Sequence, residues 1–209
     1  MNIIEELKYH EKDQLDEWLG FSGKKEKKFM KALVQFANEN PDDIKAYCQN
    51  TIPTESSSLS IVYEALSEYA NGWNAFFLEE IKRVITLAKE NKINPQYLEV
   101  LTDIETDDIY DKDEETYIKM LDFMTSSLQL TDHPKFTVEL LDIIDWFLID
   151  LDEDDDIPAS ENWINQITKM ANEGDIQVKK KAREILKEIG VTTPLNSLSF
   201  MEKLKGIFK

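Results

Sequence analysis

Cysteine, histidine, glycine and proline are scarce in this chain, and each scarcity removes a class of function. A single cysteine, Cys48, in 209 residues leaves no internal disulfide and no cysteine metal cluster, which suits a reducing cytoplasm. There are two histidines, His10 and His133, and neither has a second histidine at i+3 or i+4, so no metal or catalytic role is expected of them. Six glycines and six prolines suit long helices with few tight hairpins. Long apolar runs are missing too. The most apolar stretch, LLDIIDWFLIDL from Leu140 to Leu151, is interrupted by Asp142, Asp145 and Asp150, so no membrane span is expected. The N-terminus meets its first charge at Glu5 and does not read as a signal peptide. No P-loop, G-x-G-x-x-G, G-x-S-x-G or H-E-x-x-H motif occurs, and no enzyme is expected.

Basic residues are also few, 24 against 42 acidic ones for a net charge of −18. Their distribution is more informative than the total. Residues 99–156 hold 20 acidic and 3 basic side chains, whereas 1–98 hold 16 and 12, and 157–209 hold 6 and 9. Almost all the net charge therefore sits in 58 residues. Direct binding to nucleic acid is disfavoured, because phosphates require the opposite sign.

What the chain has in abundance is helical periodicity. Val178, Ala182, Ile185, Leu186 and Ile189 fall on one helical face, between Asp175 as a start signal and Gly190 as a stop. The same spacing appears 101 residues earlier as Phe77, Ile81, Val84, Ile85 and Ala88. The preceding helices correspond at that offset as well, with Trp163, Ile164, Ile167, Met170 and Ala171 answering to Val62, Tyr63, Leu66, Tyr69 and Ala70. A third hairpin is expected from Tyr117, Ile118, Leu121 and Met124 with Leu140, Ile144, Phe147, Leu148 and Leu151. A weaker one opens the chain, with Leu15, Trp18 and Leu19 before Phe29, Leu33, Phe36 and Ala37. Extra segments beginning at Pro41 and Pro95 separate the hairpins unevenly. Loops are expected at 51–58, 106–113 and 152–160, and a basic amphipathic helix at the C-terminus, with Lys203, Lys205 and Lys209 beside Phe200, Leu204, Ile207 and Phe208, as a cap on the last apolar face.

Asp175, Val178, Lys179, Ala182, Leu186 and the Ile189-Gly190 pair resemble the second helix of a HEAT repeat. The resemblance implies an all-α fold, an irregular HEAT-like α-solenoid of about four hairpins with a capping helix, spanning 1–209 as a single domain. Within it lie N-terminal hairpins (1–98), an acidic middle repeat (99–156) and a final hairpin with its cap (157–209). A compact helix bundle is the alternative.

The acidic loop 150–156 invites a calcium reading. Asp150, Asp152 and Asp154 supply alternating oxygens, but Asp155 stands where an EF-hand loop requires glycine. No cofactor or resident metal is expected. The helix FTVELLDIIDWFLIDLDE is more telling. At 3.6 residues per turn, Glu139, Asp142, Trp146, Asp150 and Glu153 share an arc of about 80°. Leu140, Leu141, Ile143, Ile144, Phe147, Leu148 and Leu151 fill a broad apolar face elsewhere on the wheel. One face is thus a tryptophan ringed by carboxylates. Like charges at this spacing destabilise a helix, and a basic partner would offset that cost. Asp152 and Asp154, with Asp107, Asp108 and Asp111 of the acidic stretch 103–115, extend the expected partner-binding surface.

Small, strongly acidic chains rich in Ile, Lys, Asn and Glu with irregular helical repeats resemble the immunity proteins of bacterial polymorphic and contact-dependent toxin systems. That resemblance implies a cytoplasmic, non-catalytic inhibitor that covers the active site of a basic toxin domain, often a nuclease. The alternative is an intracellular scaffold or adaptor that holds peptides or subunits in its groove.

Overall fold

The computed structural model describes residues 2–10, 24–54, 57–130, 134–149 and 161–191. Every regular element among them is helical. Nine α-helices occur there: α1 (Ile3–His10), α2 (Lys24–Glu39), α3 (Pro41–Asn50), α4 (Leu59–Tyr69), α5 (Asn74–Lys89), α6 (Asp107–Ser127), α7 (Pro134–Ile149), α8 (Glu161–Glu173) and α9 (Ile176–Glu188). A 3-10 helix, Pro95–Asp103, lies between α5 and α6. The chain packs as two compact units, Met1–Tyr117 and Ile118–Lys209. The division falls inside α6.

In the first unit, α2 packs against α1, α3 and α4, α3 against α5, and the 3-10 helix against α4 and α5. The apolar positions picked out by helical spacing in α4 and α5 lie in its core. Phe77, Ile81, Val84, Ile85 and Ala88 of α5 are buried, as are Val62, Tyr63 and Leu66 of α4. The two helices meet through large side chains, Tyr63 lying edge-on to Phe76 and Phe77 at 6.5 and 6.4 Å. On α2, Phe29, Met30, Leu33 and Ala37 are buried while Lys27, Lys28 and Lys31 face solvent.

Both segments beginning at proline are helical, because proline at the first helical position loses no bond that the helix needs. Asn94 caps the 3-10 helix, its Oδ1 accepting from the Gln96 amide at 3.2 Å. The stretch 106–113, expected as a loop for its run of acids, is helical from Asp107 onward. Propensity is a weak prior against local capping. Thr106 accepts from the amides of Ile109 and Tyr110, and the Glu105 amide donates to Ser67 Oγ at 3.0 Å. Only Asp113 leaves the helical region (φ −157, ψ 64). Its Oδ1 accepts from the Thr116 amide at 3.2 Å, so it acts as an N-cap that restarts the helix after a kink.

In the second unit, α9 packs against α8 and α7. The start and stop signals behave as the sequence suggests. Asp175 caps α9 by accepting from the amides of Gln177 and Val178 at 3.0 and 2.9 Å. At the other end, the Val191 amide donates to the Leu186 carbonyl across Gly190, whose φ of +70 is the left-handed turn that glycine supplies. Gly174 has a different role. A Cβ there would lie 2.4 Å from the Val178 side chain, so only glycine lets α8 turn this tightly into α9. Arg183 closes the hairpin by donating to the Ala171 carbonyl at 3.1 Å.

Candidate functional site

Helix α7 has the two faces its periodicity implies. Leu140, Leu141, Ile143, Ile144, Phe147 and Leu148 are buried; Leu151 lies outside the described residues. On the opposite side Trp146 is 42% exposed, which is unusual for a side chain whose burial is worth so much. Asp142 sits one turn away and is 48% exposed. Glu139, expected on the same open face, is half-buried.

The acids of α7 are not left entirely to solvent. Lys181 of α9 reaches across, its Nζ 2.7 Å from Asp142 Oδ1 and 2.6 Å from Asp145 Oδ2. The second contact is the more enclosed, since the Asp145 side chain is only 13% exposed. Its other oxygen, Oδ1, is buried and accepts no hydrogen bond from the described residues. Burial by itself would lower the Lys181 pKa, but the hydrogen bonds and charges of Asp142 and Asp145 outweigh it and hold the ammonium above its ordinary range. Glu188 is pushed up as well, by desolvation and then by the charge of Asp145. Asp142 therefore already meets one cation within the chain, which it shares with Asp145. A surplus of negative charge remains around one lysine.

The other expected residues divide into two groups. Asp150, Asp152, Glu153 and Asp154 lie outside the described residues, as does the calcium-like loop. Asp107 and Asp108 stand in the first turn of α6, and their side chains are not described; Asp111 is exposed. These three belong to the first unit, and Glu139, Asp142 and Trp146 to the second.

Sequence reasoning missed Asp145 and Lys181, although the signal was present. On α9, Lys181 falls between Val178 and Ile185 at the edge of the apolar face, so it must point at a neighbouring helix. It also missed a buried ionic cluster in the first unit. Glu80 is 3% exposed and accepts from Tyr63 Oη at 2.6 Å. Arg83 grips both its oxygens, Nη2 at 2.7 Å and Nε at 3.0 and 3.1 Å. A further nitrogen, Nη1, donates to the Thr51 carbonyl at 3.1 Å, tying α5 to the end of α3. Tyr47 and Ser58 hydrogen-bond nearby. Burial, then the charge of Glu80, pushes both the Cys48 thiol and the Tyr63 hydroxyl well up. Neither is a nucleophile near neutral pH. The Glu80 carboxylate is filled by Arg83 and Tyr63, so the cluster ties α5 to α4 and, through Thr51, to the end of α3.

Among the described residues no group of three or more His, Cys, Asp or Glu could hold a metal ion, and no helix is long and apolar enough to cross a membrane. Compared with known families, curated proteins and solved structures, the chain finds no match.

Proposed function

We propose that this is a non-catalytic binding protein whose acidic face captures and neutralises a basic protein partner. The kind of partner that suits it best is a nuclease-type toxin domain whose active site it would cover, in the manner of a bacterial immunity protein acting in the cytoplasm. The observation that carries the reading is the exposed Trp146 on α7, one turn from a half-exposed Asp142, in the stretch that holds almost all the net negative charge. Tryptophan is a favoured interface anchor, and surrounding carboxylates steer a basic surface toward it. The stacking that would present this face is an irregular HEAT-like series of hairpins, of which α8–α9 is the clearest unit.

The test is affinity capture from cells expressing the neighbouring genes, washed at low and at high salt, with the Asp142→Lys/Asp150→Lys double variant as control. Retention of one basic protein by the wild type is expected. The double variant should bind it about 2–5 kcal/mol more weakly while its circular dichroism spectrum is unchanged, and Trp146→Ala should act mainly on the dissociation rate. Inhibition of the captured protein's activity would complete the case. Unchanged affinity in the double variant overturns the proposal, and many weak partners indifferent to these residues would favour a scaffold.

A further inference from the structure

The first unit contains an open cleft of about 590 Å³ between the segment that follows α3 and the 3-10 helix. Thr54 and Ser60 form one wall, and Tyr97, Glu99, Thr102 and Asp103 the other. Both walls are firmly anchored. Arg83 holds the Thr51 carbonyl, Tyr47 holds Ser58, and the Leu59 amide donates to Ser57 Oγ at 3.3 Å. Opposite, Leu98, Val100 and Leu101 are buried, and Asn94 caps the start of the 3-10 helix. The cleft is thus preformed. Its chemistry is one-sided, since among the described residues two carboxyl groups line it and no lysine or arginine does.

Asp103 is the unusual member. It is half-buried; burial lifts its pKa above the ordinary carboxylate value, the neighbouring Ser60 hydroxyl opposes the shift, and the negative Glu99 nearby adds to it. A carboxylate kept in such a place without a cation lowers stability. A bound cation would reverse that.

We propose that this cleft binds a primary alkylammonium group, with Asp103 as the counter-ion, Ser60 and Thr54 as hydroxyl partners, and the Tyr97 ring flanking the alkyl chain. Three features select an ammonium. A divalent metal requires several oxygen ligands, and no group of three carboxylates is gathered among the described residues. A guanidinium favours a bidentate carboxylate pairing, and the Ser60 hydroxyl stands beside Asp103 in the same cleft. An ammonium is a compact charge with three donors, which suits one carboxylate and two hydroxyls. The Thr102 hydroxyl is committed to the Glu99 carbonyl at 2.8 Å and takes no part. The same group is carried by free polyamines and by lysine side chains. This site is separate from the α7 face, and the proposal stands or falls without it.

The experiment is an amide NMR titration of the full chain with n-butylammonium chloride, against sodium chloride at equal ionic strength. Saturable shifts at Ser60, Tyr97 and Asp103 are expected, with at least tenfold weaker binding in Asp103→Asn and a few-fold loss in Glu99→Gln. The Asp103→Asn chain should melt at the same temperature as the wild type or higher at pH 7, because the group that burial disfavours is gone. Binding should weaken as pH falls through the raised Asp103 value, since the carboxylate is the form that binds. Spermidine binding more tightly than acetyl-Gly-Lys-Gly-amide identifies a free polyamine as the source; the reverse order identifies a lysine side chain. Equal n-butylammonium affinity in wild type and Asp103→Asn, shifts reproduced by sodium chloride, or tighter binding of N-methylguanidinium would each overturn the proposal.

Discussion

Helices α5 and α9 share one pattern of apolar spacing at an offset of 101 residues, and each carries one charged side chain at the edge of its apolar face. At the offset of 101, Glu80 corresponds to Lys181. The two residues solve the same problem in opposite ways. Glu80 is closed off, satisfied by Arg83 on its own helix and Tyr63 on the preceding one. Lys181 reaches outward to the neighbouring α7, where it gathers Asp142 and Asp145. The first arrangement uses up its charges; the second leaves acidic capacity at the surface beside Trp146. Ionic clusters at positions that correspond in sequence spacing therefore serve different ends, according to how much water reaches them. A sealed pair contributes to stability only as a unit, and removal of one member strands the other. A half-open pair is screened, contributes less, and remains available to a partner.

The sharpest way to break this contrast is Glu80→Ala. It strands the Arg83 guanidinium and the Tyr63 hydroxyl in the core, and should cost about 3–5 kcal/mol in urea unfolding. A loss below about 1 kcal/mol would mean that the cluster is not sealed in solution. Lys181→Met should cost less, about 1–2 kcal/mol, between the values for buried and exposed pairs. Its pH dependence has a definite sign. The Lys181 pKa is raised on folding, so its contribution is complete below the unfolded lysine value of about 10.4 and is lost as pH rises through the folded one. The gap between wild type and variant should accordingly persist at pH 9 and narrow at more alkaline pH. Asp142→Asn should have the smallest effect, under about 1 kcal/mol, because Asp145 retains Lys181. A larger loss would make Asp142 the structural partner and remove it from the proposed binding face.

Much of the fold was legible because period and caps are local properties. The 3.6-residue spacing located α4, α5, α7, α8 and α9, and Asp175 and Gly190 marked the ends of α9 through bonds to residues only two to five positions away. The stretch 106–113 was misread for a physical reason. Its acids suggested a solvated loop, but Thr106 and Asp113 cap short helical pieces and turn those polar residues into helix starts. In the candidate site, Trp146 and Asp142 could be placed on one face from the wheel alone. The link from Asp145 to Lys181 could not, since it depends on which helices become neighbours 36 residues apart.

The sequence by itself determined an all-helical chain, the apolar faces of its helices and the concentration of negative charge, because these follow from spacing and composition. Only the tertiary structure decided which charges are neutralised. Whether Glu80, Asp103, Asp142 or Asp145 meets a cation, a hydroxyl or water depends on the packing of separate helices. The energy of a charge is governed by what lies within a few ångströms of it and by how much solvent remains there.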